Sequence, residues 1–289
     1  MLTLVFLSFH SEHHIRRIVK NIDSNYPIIV IENSGNKKLK SELEDLYKNV
    51  TVVICDENLG FSKGMNLGIK LSKTPFVFIN PADISISNES LKLLNEVILN
   101  FKNFGMLSPV YKDKSIHSNY QIWTNNKKDE EVILSGKKFK LKEVDFIDGT
   151  IILNKDLLNN MLFDENIFIY FETMDLCKRL SDKKIKMYAI DEITFDHFGG
   201  QSHDEKYDHE AHLSRNWHYN WSKFYFYNKH NNYLYALRKI LPNLAKSIVR
   251  YLKNFFINKK KKELYFAEFN GIISSILKKK SDYRPHKKL

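Results

Sequence analysis

The 289-residue sequence predicts an α/β protein with a mostly parallel sheet that is flanked by helices and followed by a C-terminal helical extension. Short apolar runs such as residues 28–31 are strand signals. They alternate with segments whose apolar residues repeat at helical spacing, such as residues 15–22. The connections between these segments are short, which favours parallel strands that are joined through helices. These two observations together indicate the fold class.

The elements follow one another along the chain in this pattern. Strands are predicted over residues 2–7, 28–31, 50–54, 76–79, 105–110, 144–153 (interrupted by Gly149) and 185–190. Helices are predicted after a cap at Ser11, over 39–47, after the loop at Asn58, over 91–101 and over 172–180. Residues 111–141 are expected to be irregular and polar. Further on come an aromatic segment over 217–227, an apolar helix face over 241–255 and a lysine run over 259–262.

Composition limits the partners and the compartment. A formal net charge of +11 favours an anionic partner, and nucleic acid, an anionic membrane surface and polyphosphate ligands are all candidates. Cys55 and Cys177 lack paired spacing, which argues against a disulfide framework and a zinc cluster and favours a reducing cytosol. Cys177 is expected to be a buried, inert thiol. No apolar run approaches the ~20 residues that cross a bilayer, so no membrane span is expected.

The stretch over residues 58–83 organises the rest of the chain. A glycine loop opens a helix, the helix leads into an apolar strand, and the strand is followed by an acid. Gly64 and Gly68 share one helix face, where the absence of side chains lets the backbone approach a sheet or a ligand. An ordinary connection between a strand and a helix, with two glycines, is the simpler alternative.

Polar residues occur where the predicted strands end. Ser8, Glu32, the loop at Asn58 and Asp83 follow successive strands, and right-handed crossovers place these ends along one edge of the sheet. Ligands of open α/β sheets bind outside this edge. Glu32 and Asn33 could therefore hydrogen-bond a ribose or a base. The first strand lacks a three-glycine fingerprint, and the sequence has no Gly-Lys-Ser/Thr phosphate loop and no serine nucleophile elbow. NAD enzymes, P-loop ATPases and serine hydrolases are accordingly disfavoured.

Other side chains could carry chemistry. Asp83 can bind a divalent cation, and His197 could add a nitrogen ligand, a mixed set that Mn²⁺ tolerates; a hydrogen-bonded histidine is the alternative. Glu172 begins a helix, and the helix N-terminus favours the ionised carboxylate that accepts a proton. A simple first-turn charge is the alternative for Glu172. Asp175 and Arg179 stand at i,i+4 and could simply pair.

Several short motifs occur in a defined order. They are Leu-Ser-Phe-His-Ser (7–11), Glu-Asn-Ser (32–34), Asn-Leu-Gly-Phe through Asn-Leu-Gly (58–68), Asn-Pro-Ala-Asp (80–83), Asp-Gly (148–149), Phe-Asp-Glu (163–165), Tyr-Phe-Glu-Thr-Met-Asp-Leu-Cys-Lys-Arg (170–179) and His-Phe-Gly-Gly-Gln-Ser (197–202). This series resembles the family-two inverting glycosyltransferases of the GT-A fold, especially the bacterial rhamnosyltransferase-like branch. The resemblance covers about residues 1–230.

The resemblance implies a domain organisation and an activity. It implies a GT-A catalytic domain over 1–230, with a nucleotide-binding half over about 1–105 and an acceptor half over about 106–230, and a basic amphipathic extension over 231–289. The implied reaction transfers a hexosyl or deoxyhexosyl group, with inversion, from a nucleoside-diphosphate sugar to a saccharide or lipid-linked saccharide. Bacterial surface polysaccharide synthesis is the implied context, in the cytoplasm or at the inner face of the plasma membrane, without nucleic acid as a partner.

The resemblance also implies residue roles. The implied donor-binding residues are Ser8, Glu32, Asn33, Asn58, Gly60, Phe61, Lys63 and Asn66. A divalent metal, Mn²⁺ or Mg²⁺, would be held by Asp83 and His197. Catalytic roles fall to Glu172 and Asp175, with Glu172 as the base that deprotonates the acceptor hydroxyl. Asp148 and Gly149 would lie on the acceptor side.

This chain departs from the family pattern at three positions. The family usually has Asp where Glu32 sits. Its metal-binding acid normally occupies the position of Ala82, so that Asp83 is shifted by one residue. Its base is often the acid after the position of Glu172, where this chain has Thr173. The metal site and the identity of the base are the features that these departures affect.

Alternatives remain for the C-terminal region and for the whole chain. An apolar helix face with a lysine cluster fits an interfacial anchor that binds anionic lipid headgroups, whereas a helix packed on the catalytic domain is the other interpretation. For the whole chain, a sugar nucleotidyltransferase shares the α/β nucleotide site. A non-catalytic basic protein that binds a membrane or RNA would explain the charge.

Overall fold

The computed structural model describes residues 1–82, 84–111, 118–197 and 208–284. The chain divides into two compact units. The sheet unit comprises Met1–Leu59, Lys63–Phe163 and Leu176–Ser202, and the helical unit comprises Gly60–Ser62, Asp164–Asp175 and His203–Leu289.

The sheet unit is built on a large mixed sheet with the order β3-β2-β1-β4-β11-β6-β12-β9-β8, and β5 pairs with β12. A separate ladder joins β7 and β10. The strands are β1 (Leu2–Ser8), β2 (Ile28–Glu32), β3 (Val50–Ile54), β4 (Phe76–Ile79), β5 (Ile84–Ser85), β6 (Met106–Tyr111), β7 (Tyr120–Gln121), β8 (Glu130–Leu134), β9 (Lys137–Glu143), β10 (Phe146–Ile147), β11 (Ile151–Asn154) and β12 (Met187–His197).

Helices connect these strands and then continue to the C-terminal end. They are α1 (Glu12–Asn21), α2 (Lys37–Leu46), α3 (Gly60–Leu71), α4 (Asn88–Asn100), α5 (Lys155–Leu158), α6 (Glu172–Asp182), α7 (Asp208–His230), α8 (Tyr233–Asn254) and α9 (Lys259–Ile276). The first four strands pair in parallel, as the predicted crossovers require. The structure therefore confirms the predicted α/β fold, in which helices flank a mostly parallel central sheet.

The core of the sheet unit follows from the apolar runs. All five residues of β2 are buried, which is typical of a strand that is covered on both faces. Helices α1 and α4 turn apolar faces toward the sheet, with Ile15, Ile18, Leu91 and Leu94 buried. Both helices share one core cluster with Leu4 of β1 and so cover the same face of the sheet, whereas α3 packs on the other face, where Gly68 meets Val5. The strand ends are the positions left for polar side chains.

The predicted irregular segment over 111–141 is wrong in its second half. Strands β8 and β9 form an antiparallel hairpin there, and β9 pairs with β12. The hairpin turns at Ser135 and Gly136, both with positive φ (50° and 80°), a conformation that suits a tight two-residue turn. Charged residues alternate with buried Val132, Phe139 and Leu141, and the charge concealed the strand pattern.

The predicted interruption at Gly149 is confirmed, and one further strand prediction needs correction. Gly149, with φ of 76°, turns the chain between β10 and β11, which together occupy the segment predicted over 144–153. The last strand is longer than predicted and continues through a bulge between Ile190 and Thr194 to His197. The bulge lets β12 pair with β6 at one end and with β5 at the other.

The helical unit has its own aromatic core. Trp217 and Trp221 of α7 pack with Ala267 of α9 and with Tyr283 near the C-terminal end. A Cβ at Gly271 would lie 2.3 Å from the carbonyl oxygen of Trp217, so α7 and α9 approach too closely there for any side chain. Among the described residues, no helix combines the length and apolar character needed to cross a membrane.

Candidate functional site

The carboxyl ends of the parallel strands bring polar residues together in the sheet unit. Ser8, the last residue of β1, is the register partner of Glu32, the last residue of β2, and both are fully buried. The N–H of Asn33 donates to the carbonyl of Ser8 at 2.8 Å. We refer to Ser8, Glu32 and Asn33 as the strand-end cluster. These three predicted donor-binding residues are buried in the sheet unit, and a fourth, Asn66, is buried on α3 in the same unit.

The Glu32 carboxylate accepts hydrogen bonds from the turn that follows β2. The N–H and hydroxyl of Ser34 and the N–H of Asn36 donate to its oxygens, the last at 2.6 Å. A carboxylate that accepts several such bonds fixes the backbone around it. Glu32 therefore shapes the rim of the strand-end cluster, whatever it binds in addition.

Glycines let α3 lie against the same strands. A Cβ at Gly64 would be 2.5 Å from Leu7 Cδ1, and one at Gly68 would be 2.4 Å from Val5 Cγ1. The absence of side chains thus serves the approach of the helix to the sheet, one of the two possibilities that the spacing indicated. The N–H of Leu59 points at the Asn33 side chain, Oδ1 at 3.4 Å, and links the loop before α3 to the end of β2.

Asn66 holds α3 to the backbone of Phe163. Its amide nitrogen donates to the carbonyl of Phe163 at 2.9 Å, and its Oδ1 accepts from the N–H of Phe163 at 3.0 Å. Both ends of the amide thus hold backbone, which explains a buried Asn on a helix. Lys63, one turn earlier, is exposed to solvent, and Asn58 is half-buried.

Gly60 and Phe61 belong to the helical unit. Gly60 has a φ of 74°, and a Cβ there would lie 2.3 Å from Phe168 Cδ2. The N–H of Phe61 donates to the carbonyl of Phe168 at 2.7 Å. Glycine is required at position 60 on both counts, because a side chain would be strained in conformation and would collide with the aromatic ring.

A buried polar network holds the Asn-Pro-Ala-Asp loop, and the sequence patterns did not indicate it. The Thr150 hydroxyl donates to Asn80 Oδ1 at 3.0 Å, and the Asn80 amide donates to the carbonyl of Ile84 at 3.0 Å. The Ser108 hydroxyl donates to the carbonyl of Thr150 at 2.6 Å. These residues are fully buried, so the network fixes the loop between β4 and β5 at both of its ends.

The predicted metal ligands lie largely beyond what the structure describes. Asp83 is outside the described residues, and so is the His197 side chain. The backbone of His197 pairs with Ile84, the residue after Asp83. Ala82, at the position of the family's usual metal-binding acid, is buried in the hydrophobic core. Within the described ranges, no three or more His, Cys, Asp or Glu side chains are grouped to hold a metal ion.

Asp148 and Gly149 lie between β10 and β11 in the sheet unit. The N–H of Gly149 donates to Asp148 Oδ1 at 2.8 Å, and the N–H of Asp148 donates to the carbonyl of Asn119 at 2.8 Å. The Asp148 side chain reaches solvent, yet the surrounding protein desolvates the carboxyl and raises its pKa despite the bond from Gly149. A solvent-accessible carboxyl with a raised pKa is typical of a concave site.

Glu172 follows a strained turn in the helical unit. Tyr170 and Phe171, which immediately precede it, both have positive φ (67° and 66°), a conformation that is costly for aromatic residues. Burial raises the pKa of Tyr170, the charge of Arg215 opposes this, and the nearby Glu172 carboxylate adds to it. Glu172 itself is buried. Backbone strain at two consecutive residues is often found at functional sites, which makes Glu172 a candidate site residue.

Asp175, one turn further, is fully buried between two side chains of α7. Lys229 Nζ lies 2.6 Å from Asp175 Oδ1, and His230 Nε2 lies 2.7 Å from the same oxygen. Lys229 also contacts Asp164 at 2.7 Å, and the Tyr225 hydroxyl donates to Asp164 at 2.9 Å. We refer to these five residues as the acid cluster. The partners on α7 were not predicted, because no local sequence signal relates them to Asp164 and Asp175.

Basic and hydrogen-bonding side chains in the acid cluster lie against its two acids. Burial would raise the pKa of Asp164, but the hydrogen bonds from Lys229, the N–H of Asn166 and Tyr225 outweigh it and hold the pKa below its usual range. Asp175 has two cationic or hydrogen-bonding partners and no exposed surface. It is therefore placed to hold the first turn of α6 on α7. Its predicted catalytic role stays a prediction.

Cys177 is buried, as expected. Its thiol lies 3.8 Å from the carbonyl of Ile147, and burial raises its pKa to about 12. Such a thiol is neutral at physiological pH and therefore a poor nucleophile. Cys55 is also buried and free.

Solved structures share this architecture. The chain is similar to a mannosyltransferase, PcManGT from Pyrobaculum calidifontis, in complex with GDP-Man and Mn²⁺, at 10% identity, a TM-score of 0.57, and coverage of 96% of this chain and 88% of that one. It is also similar to S. aureus TarS in complex with UDP-GlcNAc, at 14% identity, a TM-score of 0.54, and coverage of 96% and 92%. These likenesses define the fold class as that of the GT-A glycosyltransferases.

The family follows from the sequence itself. The model of Glycosyl transferase family 2 matches residues 5–162, which is more than half of the 289 residues. The chain therefore belongs to glycosyl transferase family 2. The match contains the strand-end cluster and Asp148 and ends before the acid cluster begins. No curated protein matches the sequence.

Proposed function

We propose that this glycosyltransferase moves a hexosyl or deoxyhexosyl group, with inversion, from a nucleoside-diphosphate sugar to a hydroxyl of a saccharide or lipid-linked saccharide. The proposal places it in the rhamnosyltransferase-like branch and in the synthesis of a bacterial surface polysaccharide. Residues 1–230 would form the catalytic domain, and 231–289 would be a basic extension. Two similar structures hold GDP-Man and UDP-GlcNAc, which supports a nucleotide-sugar donor.

One observation carries the donor proposal: the polar strand-end cluster lies at the carboxyl edge of the parallel strands, inside the region that matches the family. Ligands of open α/β sheets bind at this edge. Ser8, Glu32, Asn33 and Asn66 would form and support the nucleoside site, and exposed Lys63 would meet the diphosphate. Asn58, Gly60 and Phe61 are proposed to complete donor binding.

Glu172 is proposed as the base. In the reaction, the acceptor hydroxyl gives its proton to the Glu172 carboxylate while its oxygen forms a bond to the anomeric carbon. The bond from that carbon to the diphosphate oxygen breaks, and the nucleoside diphosphate leaves with the electron pair. The strained Tyr170–Phe171 turn supports this role, since strain of this kind persists where geometry must be fixed. Asp175 would act as a positioning residue, and Asp148 and Gly149 would face the acceptor.

A divalent metal is proposed at Asp83 and His197. The pairing of His197 with Ile84 supports this set, because Ile84 follows Asp83 in the sequence. The similar structure of PcManGT contains Mn²⁺. Ala82 cannot contribute a ligand, so the site would differ from the family's usual one. A metal bound there would offset the charge that develops on the departing diphosphate.

Nucleotide binding and turnover test the proposal directly. Calorimetry with a panel of nucleoside diphosphates should find at least one that binds, and a matching nucleotide sugar should be hydrolysed slowly or transferred. Glu172→Gln should lower turnover by about 1000-fold while donor binding stays intact, because only the proton acceptor is lost. Glu131→Gln, a change at an exposed carboxylate on β8, is the control.

The outcomes separate the competing functions. Absence of binding to every nucleoside diphosphate would reject the donor proposal. Retained turnover in Glu172→Gln would move the base to another residue. Release of pyrophosphate from a nucleoside triphosphate and a sugar phosphate would instead identify a nucleotidyltransferase.

The metal proposal has its own test. We expect Asp83→Ala and His197→Ala each to abolish the increase in nucleoside-diphosphate affinity that Mn²⁺ produces, and to leave metal-free affinity nearly unchanged. Calorimetry with and without Mn²⁺ measures both quantities. If the wild-type affinity does not depend on Mn²⁺, the replacement by Ala82 has removed the metal site.

A further inference from the structure

Helix α8 exposes large apolar side chains along one face. Positions 234, 241, 248 and 252 repeat at intervals of about seven and four residues, so that their side chains lie above one another on the helix. All of them are exposed, and Val249 is exposed beside them. We call this set the apolar ridge; its members are Leu234, Leu241, Ile248, Val249 and Leu252.

The opposite face of α8 is the one that packs. Ala236, Ile240 and Ser247 are fully buried there, within a core formed with Phe224 of α7 and Ile272 of α9. A surface helix normally buries its larger apolar residues and exposes its polar ones. Here the helix carries large apolar residues on its solvent face as well as on its buried face, so the exposed apolar surface requires a partner.

The ridge ends at a corner with the most exposed apolar residues of the described chain. Phe256 is 94% exposed and Ile257 is 83% exposed, in the turn between α8 and α9. Phe255 packs at the same corner, where Lys262 Nζ lies 4.8 Å from the centre of its ring. Two adjacent bulky side chains that project from a helical corner are suited to insertion into an apolar phase.

The charge around the ridge has a single sign. Between residues 231 and 262 the sequence has no acidic residue and nine basic ones: Arg238, Lys239, Lys246, Arg250, Lys253 and Lys259, Lys260, Lys261 and Lys262. Exposed Lys239, Lys246 and Lys253 recur every seven residues and therefore follow the edge of the ridge. The other four lysines adjoin Phe256 and Ile257. An apolar strip bordered by cations is complementary to a surface whose interior is apolar and whose headgroups are anionic.

We propose that the apolar ridge and the Phe256–Ile257 corner dock on an anionic lipid bilayer, with α8 lying in the headgroup region. Phe256 and Ile257 would enter the acyl boundary while the lysines contact lipid phosphates. The described helices cannot cross a membrane, and an interfacial helix does not need to. This inference names the partner of the basic extension, and it does not depend on the proposed glycosyl transfer.

Vesicle co-sedimentation of the full chain tests the proposal without a donor or an acceptor. The protein should bind vesicles of phosphatidylcholine with about one-third phosphatidylglycerol far better than pure phosphatidylcholine, and added salt should weaken the binding. Phe256→Ser with Ile257→Ser should weaken it about tenfold or more, through lost apolar insertion. Replacement of Lys259–Lys262 by Gln should have a similar effect and should also reduce the salt dependence.

Controls and competing outcomes are defined by the same assay. Leu46→Ser removes an equally bulky exposed residue from α2 in the sheet unit and should leave vesicle binding unchanged. Wild-type protein that ignores anionic vesicles, or a corner variant that binds them normally, would overturn the proposal. A concentration-dependent dimer that the corner variant loses would identify a second copy as the partner. Salt-sensitive RNA binding that depends on the lysines, without lipid binding, would identify nucleic acid. Circular dichroism shows whether each variant folds.

Discussion

The strand-end cluster and the acid cluster bury their polar groups by different means. In the first, Glu32 finds its partners at Ser34 and Asn36, within four residues along the chain. In the second, Asp175 finds Lys229 and His230 more than fifty residues away on α7. The bonds to the Glu32 carboxylate are therefore made by a local turn, whereas the acid cluster exists only after the tertiary fold has formed.

The two kinds of bonding should differ in how well they tolerate a nearby substitution. Backbone N–H groups that follow a strand end remain close to a side chain that caps them, even when nearby packing relaxes. A buried ion pair between distant elements has no such support, and loss of one partner leaves the other charge desolvated. Disruption of the acid cluster should accordingly be the more damaging change.

The largest effect on stability is expected from Asp175→Asn. The change removes the charge that Lys229 and His230 share, in a position with no access to water. Loss of one member of a buried pair costs about 3 kcal/mol, and Lys229 retains only its contact with Asp164. Urea unfolding followed by circular dichroism measures the change in the free energy of unfolding.

A matched control lies on the same helix. Asp182 pairs with Lys178 at i,i+4 on the surface of α6, so Asp182→Asn should change the free energy of unfolding by less than about 0.5 kcal/mol. Equal effects of the two substitutions would show that the acid cluster contributes no more than a surface pair. The contrast between the two clusters would then be unfounded.

A smaller effect is expected from Asn66→Ala on α3 of the sheet unit. The substitution leaves the buried N–H and carbonyl of Phe163 without the amide that pairs with both. Leaving these buried groups unpaired costs about 2 kcal/mol. Asn100→Ala, at an exposed side chain on α4, should be nearly neutral.

The same unfolding experiment can refute this expectation. An Asn66→Ala variant with wild-type stability but weaker binding of nucleoside diphosphates would show that Asn66 contacts the ligand. The residue would then have the direct role that the family resemblance implies, and its bonds to Phe163 would be incidental.

Much of the fold was predictable because the core strands carry local signals. The predicted strand over 76–79 coincides with β4 (Phe76–Ile79), since four apolar residues are bounded by turn residues. The hairpin over 130–143 was not predicted, because lysines and glutamates occupy its exposed face and leave only alternate positions apolar. The Ser135-Gly136 turn was the signal that could have revealed it.

The candidate site was predictable only in part. Strand ends identified Ser8 and Glu32 as neighbours, since register and crossover rules act on the sequence directly. The partners of Asp175 on α7 could not be found this way, because Lys229 and His230 look like ordinary residues at the end of a helix. The network through Thr150 and Asn80 likewise depends on pairing between β4 and β11, which no local pattern encodes.

The C-terminal segment contacts Phe168, which holds the loop at the start of α3. Its contribution to stability is expected to be the smallest of the three. His218 is buried, which lowers its pKa to about 3 and keeps the ring neutral. Its Nε2 therefore donates to the carbonyl of Tyr283 at 2.7 Å, and its Nδ1 accepts from the Ser281 hydroxyl at 2.9 Å. The His218 ring also stacks on Phe168. The Arg284 guanidinium contacts the same Phe168 ring, at 3.9 Å from its centre.

Arg284→Gln should have the smallest effect, confined to the loop at the start of α3. Loss of a partly buried cation–π contact costs about 1 kcal/mol, and the Phe168 carbonyl that holds the N–H of Phe61 would be less firmly fixed. Hydrogen exchange at the Phe61 amide should become about fivefold faster while the global free energy of unfolding hardly changes. Arg284→Lys should restore part of the protection, because a cation remains above the ring. Lys280→Gln, which removes a neighbouring exposed charge, should leave Phe61 protected. If the Phe61 amide exchanges at the same rate in Arg284→Gln and Lys280→Gln, Arg284 does not stabilise the loop through Phe168. The C-terminal segment would then contribute to the aromatic core alone.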